Sequence, residues 1–508
     1  MHPERIRVLE LCGYGDGMSP KKMRIVFATP EMVPFAKTGG LADVAGTLPQ
    51  EIQAMGHEVA CFLPKYKKVD ASRWPLVLVL DRLQIPVGSE AEPGRVFRYD
   101  HPSGMKVYFM DQPEYFSRDE LYGTAMGDYP DNDRRFVFFQ RGVLEALRKL
   151  GTKADVIHCH DWQTGLIPTY LKTLYANDPF FTKTKTIFTI HNLAYQGNFP
   201  PDSLAITGLS WDEFGLERLE FYGKVSFLKG GLVYSDELTT VSPRYAEEIQ
   251  TKEYGCGMEG VLQTRRNNLA GIVNGIDPEE WDPEKDPDIP THFGPKKIEG
   301  KAANKAGLQK ENRFKVDDRI PLLGIVTRLA DQKGLDILTP AVEGFMKRGL
   351  QLVLLGTGED KYHQIFRDLG KKYPYQIGAH ILFDAKLAKR IYAGSDIFLM
   401  PSRYEPCGLG QLISFRFGTV PLVRETGGLA DTVEDFDPRK GEGTGFVFKE
   451  HSTKAFLEAL DRALEVYRDQ RLWLKLMKNG MKCDFSWRSS AKQYVELYDR
   501  VERTPVTV

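Results

Sequence analysis

The sequence predicts an α/β protein with two doubly wound domains in tandem. Short apolar runs alternate with helical patterns in the first half, as is typical of a parallel sheet buried on both faces. The alternation breaks over residues 277–295, which contain five prolines among many acidic residues, and it restarts near residue 322. The break predicts a solvated linker between two domains. Ligands of such sheets bind at the carboxyl ends of the strands, so two of these domains predict a cleft with a hinge.

The first domain is predicted to open with the strand Arg24–Thr29, a glycine loop and a helix from about Asp43 to Ala54. Its other strand-like runs are Glu58–Leu63, Val107–Met110, Asp155–Cys159, Thr186–Ile190, Glu237–Val241 and Ala270–Val273. In the second domain the runs are Leu322–Thr327, Gln351–Leu355, Ile381–Phe383, Asp396–Met400 and Thr419–Val423. The predicted bounds are 1–22 for an N-terminal extension, 23–278 and 279–486 for the two domains, and 487–508 for a C-terminal helix.

Composition excludes several classes of protein. The 508 residues suit about three domains of roughly 150 residues, or two large ones. The net charge of −1 leaves no basic field to hold nucleic acid, and no apolar run approaches the roughly 20 residues of a membrane span. The six cysteines form no CxxC motif, which favours a reducing compartment and no zinc ribbon. No secretory signal is evident, and the cytoplasm is the expected location.

One hexapeptide occurs twice. Thr38–Asp43 and Thr426–Asp431 both read TGGLAD, and each copy follows a predicted strand and precedes a predicted helix. The simple interpretation is two similar helix starts. The functional one is a pair of diglycine loops, Gly39-Gly40 and Gly427-Gly428, whose backbone N–H groups approach an anionic ligand closely.

Several cations and one carboxylate follow predicted strands. Lys37 could reach a phosphate or sugar oxygen, and Arg328 with Lys333 could hold a diphosphate, although solvated surface roles are the alternative. Glu405 precedes the turn Gly408, Leu409 and Gly410, where it could either stabilise positive charge on a sugar carbon or cap a helix. Cys407 is interpreted as a small packing residue. No Walker motif is present.

The run His158–Asp161 (HCHD) invites a metal interpretation, but neighbouring residues of a strand point to opposite faces, so the four cannot converge. His160 and Asp161 are better interpreted as a pair entering a cleft. His191 occupies the corresponding position after the next strand.

Together these motifs resemble the bacterial glycogen synthase and plant starch synthase family, glycosyltransferase family five. The first half carries KTGGLADV at Lys37–Val44, HDW at His160–Trp162, HNLAYQG at His191–Gly197, VSPRYAEEI at Val241–Ile249, YGCGMEGVL at Tyr254–Leu262 and VNGID at Val273–Asp277. The second half carries TRLADQKGLD at Thr327–Asp336, PSRYEPCGLGQL at Pro401–Leu412 and RETGGLADTV at Arg424–Val433. The match begins near Met23 and leaves residues 1–22 outside it.

The resemblance implies a GT-B fold, two Rossmann-like domains around a deep cleft, with the helix from Trp487 returning to the first domain. It implies retaining transfer of glucose from ADP-glucose to the non-reducing end of an α-1,4-glucan, without a bound metal or cofactor. The implied donor-binding residues are Lys37, Thr38, Gly39, Gly40, Asn274, Arg328, Lys333, Gly408, Leu409, Gly410 and Thr426. Glu405, His160 and Lys37 are the implied catalytic residues. Asp43 and Asp161 are further positions that the resemblance implies for the site. The implied partners are the glucan and ADP-glucose, with no nucleic acid and no membrane.

Two departures from the family pattern concern the nucleotide base and the location. Many bacterial members carry an aromatic residue just after QIG that can stack on adenine, whereas Ala379 follows Gln376–Gly378 here. The preference for ADP over UDP is therefore left open. No transit peptide is evident, so a bacterial cytoplasm is expected, with a plastid as the alternative in a photosynthetic eukaryote.

Two other functions fit the sequence less well. A nicotinamide-dependent oxidoreductase is disfavoured because no GxGxxG closes the first strand–helix turn. A non-catalytic glucan-binding relative is disfavoured because Lys37, Arg328, Lys333 and Glu405 are all present.

Overall fold

The computed structural model describes residues 21–124 and 126–504, and these fall into two compact units. The first unit contains the chain up to Ile272 together with the segment from Trp487 onward, and the second contains Val273–Ser486. The first unit therefore ends six residues before the predicted boundary at residue 278. Most of the predicted N-terminal extension, including Cys12, lies outside the described residues.

The first unit is built on a nine-stranded sheet in the order β14-β13-β9-β8-β1-β2-β5-β4-β3. The strands from β14 to β5 run parallel, whereas β4 and β3 add an antiparallel hairpin that the sequence interpretation missed. The strands are β1 Arg24–Ala28, β2 Glu58–Pro64, β3 Val77–Val87, β4 Glu90–Asp100, β5 Lys106–Asp111, β8 Val156–His160, β9 Lys185–Ile190, β13 Glu237–Thr240 and β14 Leu269–Gly271. Smaller sheets hold β6 Gly123–Thr124 with β7 Gly127–Asp128, and β10 Asn198–Phe199 with β11 Glu220–Phe221 and β12 Lys224–Ser226.

Helices cover this sheet and connect its parallel strands. The helix after β1 begins at Gly40 rather than near Asp43, and its Leu41, Val44, Leu48 and Ile52 are buried. The C-terminal helix packs against that first helix and places the Tyr498 hydroxyl 2.8 Å from His158 Nδ1. The helices are α1 Gly40–Ala54, α2 Pro113–Phe116, α3 Asn132–Leu150, α4 Leu166–Lys172, α5 Ser203–Thr207, α6 Phe227–Tyr234, α7 Pro243–Glu248, α8 Glu259–Thr264 and α17 Trp487–Arg503.

The second unit holds a six-stranded parallel sheet in the order β17-β16-β15-β18-β19-β20. Its strands are β15 Leu322–Val326, β16 Gln351–Leu355, β17 Ile377–His380, β18 Ile397–Met400, β19 Val420–Arg424 and β20 Phe446–Phe448. Its helices are α9 Gly300–Glu311, α10 Leu335–Lys347, α11 Asp360–Lys372, α12 Ala385–Gly394, α13 Gly410–Arg416, α14 Gly427–Thr432, α15 Thr453–Arg468 and α16 Gln470–Met481.

The predicted strand Ile381–Phe383 is wrong. The strand of this region is β17, which pairs Ile377 with Leu352 of the core and ends at His380. Burial explains the shift, because Ile377 is buried whereas Leu382 and Phe383 are exposed, and the Phe383 side chain is 84% exposed.

The solvated linker predicted over residues 277–295 is also wrong. Ile289 and Phe293 are buried in a core cluster with Tyr392, Phe398 and Phe417 of the second unit. The buried Asp286 forms an ion pair with Lys389, with 3.0 Å between Lys389 Nζ and Asp286 Oδ2. The five prolines interrupt the hydrophobic periodicity of this segment, but the side chains of apolar residues between them are still buried.

The order of strands places the functional loops. In the first sheet the chain fills one side of β1 with β2 and β5, and then returns to the other side with β8, β9, β13 and β14. In the second sheet β16 and β17 lie on one side of β15, and β18, β19 and β20 lie on the other. Loops after adjacent strands diverge at these reversals, so the crevices between β1 and β8 and between β15 and β18 are where such sheets bind ligands.

Two further properties of the described chain concern its helices and its cysteines. No helix within it combines the length and the apolar character needed to cross a bilayer. All five cysteines that it includes are free thiols.

Candidate active site

A buried carboxylate organises the loop after β1. Glu31 accepts hydrogen bonds from the backbone N–H and hydroxyl of Thr38, from the Gly39 N–H at 3.2 Å and from the Tyr122 hydroxyl at 2.7 Å. The N–H group of Gly39, one of the two diglycine N–H groups predicted to approach an anionic ligand, is therefore directed at Glu31. The sequence interpretation overlooked Glu31, although an acidic residue inside a buried stretch before a diglycine was a usable signal.

Lys37 lies at the outer side of the same loop. Its Nζ contacts both carboxylate oxygens of Asp43, at 2.6 and 2.8 Å, and 46% of its side chain is exposed. Burial is the main influence on Asp43 and raises the pKa of its carboxyl, while Lys37 opposes that shift. Gly39 and Gly40 follow at the start of α1, and a Cβ added to Gly39 would meet no atom within 4 Å.

Two histidines meet at the carboxyl ends of β8 and β9. His160 Nδ1 lies 3.0 Å from His191 Nε2, and the His160 ring stacks on Phe27 of β1 with centroids 5.6 Å apart. His160 is fully buried, and its Nε2 has no hydrogen-bond partner among the described residues. Burial lowers the pKa of both imidazoles, that of His191 to about 3, so both are neutral at physiological pH.

Asp161 holds the start of the next loop. It adopts a positive φ of 56°, and its Oδ1 accepts the His191 N–H at 2.8 Å. Burial raises the pKa of this carboxyl to about 7, the His191 backbone hydrogen bond lowers it in part, and the nearby Glu31 adds to the rise. Asp161 therefore positions the His191 backbone, and its charge changes near neutral pH.

The second unit brings Lys333 and Glu405 together at the crevice between β15 and β18. Lys333 Nζ lies 2.9 and 2.7 Å from the two oxygens of Glu405, and the Ser402 hydroxyl donates to Glu405 Oε2 at 2.9 Å. The Glu405 side chain is almost completely buried. An ammonium group has three donors, so Lys333 can contact Glu405 twice and still donate to a third group.

Arg328 lies on the loop after β15, five residues before Lys333. Its Nη2 donates to Gln332 Oε1 at 3.0 Å, and its residue surface is exposed. Gln332 also accepts the Arg403 N–H at 2.8 Å, which ties the Arg328 loop to the loop that carries Glu405. Ser402 and Gln332 were absent from the residues predicted for the site.

The turn after Glu405 offers backbone donors. The N–H groups of Gly408, Leu409 and Gly410 donate to no backbone or side-chain acceptor of the described chain. The buried Asn274 lies beside Cys407, because its backbone hydrogen-bonds the thiol, and its side-chain oxygen has no partner among the described residues. Burial raises the pKa of Cys407 to about 12, which agrees with a packing role.

The second diglycine is packed differently from the first. Thr426 is fully buried, and a Cβ added to Gly427 would lie 2.0 Å from the Glu405 carbonyl oxygen. A Cβ added to Gly428 would lie 2.1 Å from the Cys407 carbonyl oxygen, and the Gly428 N–H donates to Glu405 O at 3.1 Å. The repeated hexapeptide therefore supports the Glu405 loop in the second unit, whereas Gly39 faces open space in the first.

The predicted residues thus form two clusters. Lys37–Gly40 and His160 lie around the β1–β8 crevice, and Arg328, Lys333, Glu405, Gly408–Gly410 and Thr426 lie around the β15–β18 crevice. Within the residues that the structure describes, no three His, Cys, Asp or Glu side chains are grouped as metal ligands. That the reaction needs no metal or cofactor stays a prediction.

Comparison with known proteins identifies a family for each half of the chain. Residues 24–264 match the family described as "Starch synthase catalytic domain", and residues 309–480 match "Glycosyl transferases group 1". A protein of Syntrophotalea carbinolica named "Glycogen synthase" is 50% identical over 476 residues, covering 94% of this chain and 98% of the relative. One of Koribacter versatilis with the same name is 47% identical over 488 residues, covering 96% and 100%.

Two solved structures are similar to this chain over nearly its whole length. The catalytic domain of starch synthase IV from Arabidopsis thaliana, solved with ADP and acarbose, has a TM-score of 0.88 and 34% identity, covering 95% of this chain and 100% of that one. A sucrose-phosphate synthase from Thermosynechococcus elongatus, with a TM-score of 0.59 and 17% identity over 94% and 99% of the chains, shares the fold. The predicted two-domain, GT-B-like architecture is confirmed. The chain belongs to the glycogen and starch synthase family of glycosyltransferases.

Proposed function

We propose that this chain elongates an α-1,4-glucan by transferring glucose from ADP-glucose to its non-reducing end, with retention of configuration. The observation that carries the proposal is the buried Glu405 carboxylate paired with Lys333 at the β15–β18 crevice. A buried carboxylate with one adjacent cation can stabilise positive charge on a sugar carbon while the cation holds the departing phosphate. The bacterial origin of the relatives supports a cytoplasmic enzyme.

We assign the donor diphosphate to the second unit. Arg328 offers a planar fork, Lys333 retains one donor beyond its two contacts with Glu405, and the Gly408–Gly410 turn supplies backbone N–H groups. Asn274 and Thr426 complete this donor side. Lys37, Thr38, Gly39 and Gly40 are assigned to the donor from the first unit, and His160 to the transferred glucose through its unpartnered Nε2.

In the proposed step, ADP departs from one face of the sugar and the acceptor attacks the same face. The bond from glucose C1 to the β-phosphate oxygen breaks, and its electron pair leaves with ADP. The acceptor 4-hydroxyl oxygen bonds to C1, and its proton passes to the departing phosphate. In this step Glu405 stabilises the positive centre at C1 without bonding to it, and its contacts with Lys333 and Ser402 hold the carboxylate in place.

We also infer that Phe383 supplies the aromatic face for adenine. The side chain lies three residues past the carboxyl end of β17 and is open to solvent, in the unit assigned to the donor. Phe383→Ala should raise KM for ADP-glucose about two- to tenfold, the range of a lost aromatic stacking contact. Leu382→Ala, which truncates the exposed neighbouring residue, is the control and should leave KM unchanged.

Turnover of labelled ADP-glucose with glycogen tests the function. We expect elongation, a higher kcat/KM for ADP-glucose than for UDP-glucose, and slow hydrolysis without acceptor. Glu405→Gln keeps the shape and removes the charge, so it should lose most of kcat while ADP still binds. An active Glu405→Gln enzyme would contradict the role of the carboxylate, and a glucosyl ester trapped on Glu405 would contradict the same-face step. Glucan binding without any turnover would favour the non-catalytic alternative.

A further inference from the structure

An exposed tyrosine occupies the tip of a short hairpin in the first unit. Phe221 of β11 pairs with Lys224 of β12, which leaves Tyr222 and Gly223 as a two-residue turn. Both residues have positive φ, 47° and 75°. A turn with positive φ at both positions is of the type I′ class, which favours Asn-Gly. A bulky side chain at the first position opposes the turn chemistry.

Packing does not explain the choice of tyrosine. The Tyr222 side chain is 81% exposed, so its burial contributes little to folding. The ring lies edge-on to Phe221, with centroids 4.7 Å apart, and a Cβ added to Gly257 would lie 3.1 Å from its Cε2. Phe221 and Gly257 thus orient a ring that stays open to solvent. Backbone strain kept for an exposed side chain points to a function for that side chain.

The hairpin is anchored at its base. Lys229 of α6 is buried, and its Nζ donates to the carbonyl oxygens of Leu216 and Glu220 at 2.5 Å. The Gly223 N–H donates to Glu220 Oε1 at 2.7 Å. These bonds hold the hairpin in one place and make Tyr222 a fixed surface feature.

Direct contacts connect this hairpin to the β1–β8 crevice. A Cβ added to Gly257 would lie 3.1 Å from the Tyr222 ring, and the neighbouring Cys256 carbonyl accepts the Gln196 side-chain amide at 3.0 Å. Gly197 packs on the Trp162 ring, since an added Cβ would lie 2.5 Å from it, and Trp162 follows Asp161. Tyr195, whose side chain is half exposed, lies in the same segment, four residues after His191.

We propose that Tyr222 and Tyr195 form an acceptor track, a surface that binds glucose units of a long α-1,4-glucan behind its reacting end. This inference rests on the proposed function. A glucan is neutral, and each sugar ring presents a C–H face that suits an aromatic ring and hydroxyls that suit phenol and amide groups. The surface that carries the two tyrosines is connected by contacts to the crevice that contains His160. We therefore propose the glucan chain as its occupant.

The decisive variant is Tyr222→Asn, because Asn-Gly is the favoured type I′ pair. Its melting temperature should equal or exceed that of the parent, so loss of folding cannot explain a loss of binding. We expect KM for glycogen to rise about two- to tenfold. The kcat with maltotriose and KM for ADP-glucose should not change. Tyr375→Asn, at an exposed tyrosine between α11 and β17, is the matched control and should leave every value unchanged.

Electrophoresis through gels containing glycogen gives a readout independent of turnover, and Tyr222→Asn should be retarded less than the parent. Unchanged retardation and unchanged KM for glycogen would overturn the track. Equal losses with maltotriose and glycogen would also overturn it, because Tyr222 would then act in the reaction itself. Self-association without glucan that disappears in Tyr222→Asn would identify an interface between copies instead. A parent protein without turnover would contradict the proposed function, while the gel would still test the track.

Discussion

At the residue scale, burial decides what the polar groups of both clusters can do. His160 and His191 are neutral because an imidazolium would lose its hydration inside the first unit. Glu405 tolerates burial because Lys333 and Ser402 contact it directly. Removing one partner of such a pair leaves a buried charge, at a cost of about 3–5 kcal/mol. Lys333→Ala would therefore combine loss of activity with loss of stability, which makes Arg328 the cleaner test of the diphosphate site.

Arg328→Ala should lower kcat/KM for ADP-glucose by about ten- to a hundredfold, because a hydrogen bond to a charged group is worth roughly 1.5–3 kcal/mol. Folding should survive, since the side chain is exposed on a loop. Steady-state kinetics and thermal melting check both expectations. Arg319→Ala, at an exposed arginine of the same unit that pairs with Asp317, is the control. Near-full activity of Arg328→Ala would make that residue an ordinary surface cation.

His158 makes the stability of the first unit sensitive to acid. Its nitrogens contact the Tyr498 hydroxyl at 2.8 Å and the Thr189 hydroxyl at 2.6 Å, and burial lowers its pKa from 6.5 to about 3. Between those two pH values the unfolded chain binds one proton more than the folded chain at this residue. The contribution of neutral His158 to the free energy of unfolding is therefore complete above pH 6.5 and is lost as the pH falls towards 3.

His158→Gln should therefore reduce the slope of unfolding free energy against pH, near pH 5, by about 1.4 kcal/mol per pH unit. Urea unfolding at several pH values measures this slope. At pH 8, His158 is unprotonated in both the folded and the unfolded chain. The free energies of unfolding of the parent and the variant should then differ only by the altered hydrogen bonds to Tyr498 and Thr189. An unchanged slope would mean that His158 does not titrate on unfolding.

At the element scale, the same loop sequence serves two purposes. The first TGGLAD loop bends around Glu31 and leaves Gly39 facing open space. The second presses Gly427 and Gly428 against the backbone that carries Glu405 and Cys407. Both copies suit the shared strand–loop–helix geometry, but the first loop contacts Glu31 within its own loop, whereas the second contacts the segment that follows β18.

Alanine substitutions separate these purposes. Gly427→Ala and Gly428→Ala should each destabilise the second unit by about 2–4 kcal/mol, because a methyl group would overlap a fixed carbonyl oxygen and Gly427 also has a φ of 43°. Gly39→Ala should unfold like the parent, since its φ is −150° and the space is empty. Urea unfolding distinguishes the three variants, and equal stabilities would contradict the close packing.

At the scale of the whole molecule, the chain passes between the units twice, after Ile272 and after Ser486. The final helix, α17, completes the core of the first unit and buries Trp487, Tyr494, Leu497 and Tyr498. Each such side chain contributes about 1.5–3 kcal/mol when fully buried. The last segment of the sequence is therefore required by a unit that is otherwise formed by the first half of the chain.

Ending the chain after Ser486 should lower the melting temperature of the first unit and leave that of the second unchanged. Calorimetry, combined with limited proteolysis to identify the unit that opens, measures the difference. A truncated chain that melts like the parent would mean that α17 adds little to the first unit.

The sequence by itself determined the type of fold and the site residues that follow strands. Strand periodicity is local, and residues such as Arg328, Glu405 and His160 stand where apolar runs end, so their place at the carboxyl edges of parallel sheets could be predicted. The family motifs then indicated the chemistry. Residues 277–295 and the segment 381–383 were misjudged because prolines and exposed apolar residues disturb a local pattern without deciding burial.

Only the tertiary structure decided which groups meet. Lys333 and Glu405 are 72 residues apart, and they pair because β15 and β18 are neighbours in the sheet. Glu31 and Tyr122 are 91 residues apart and meet around Thr38, and Tyr498 reaches His158 from the far end of the chain. Such contacts depend on strand order and burial, which arise from long-range packing that no local pattern encodes.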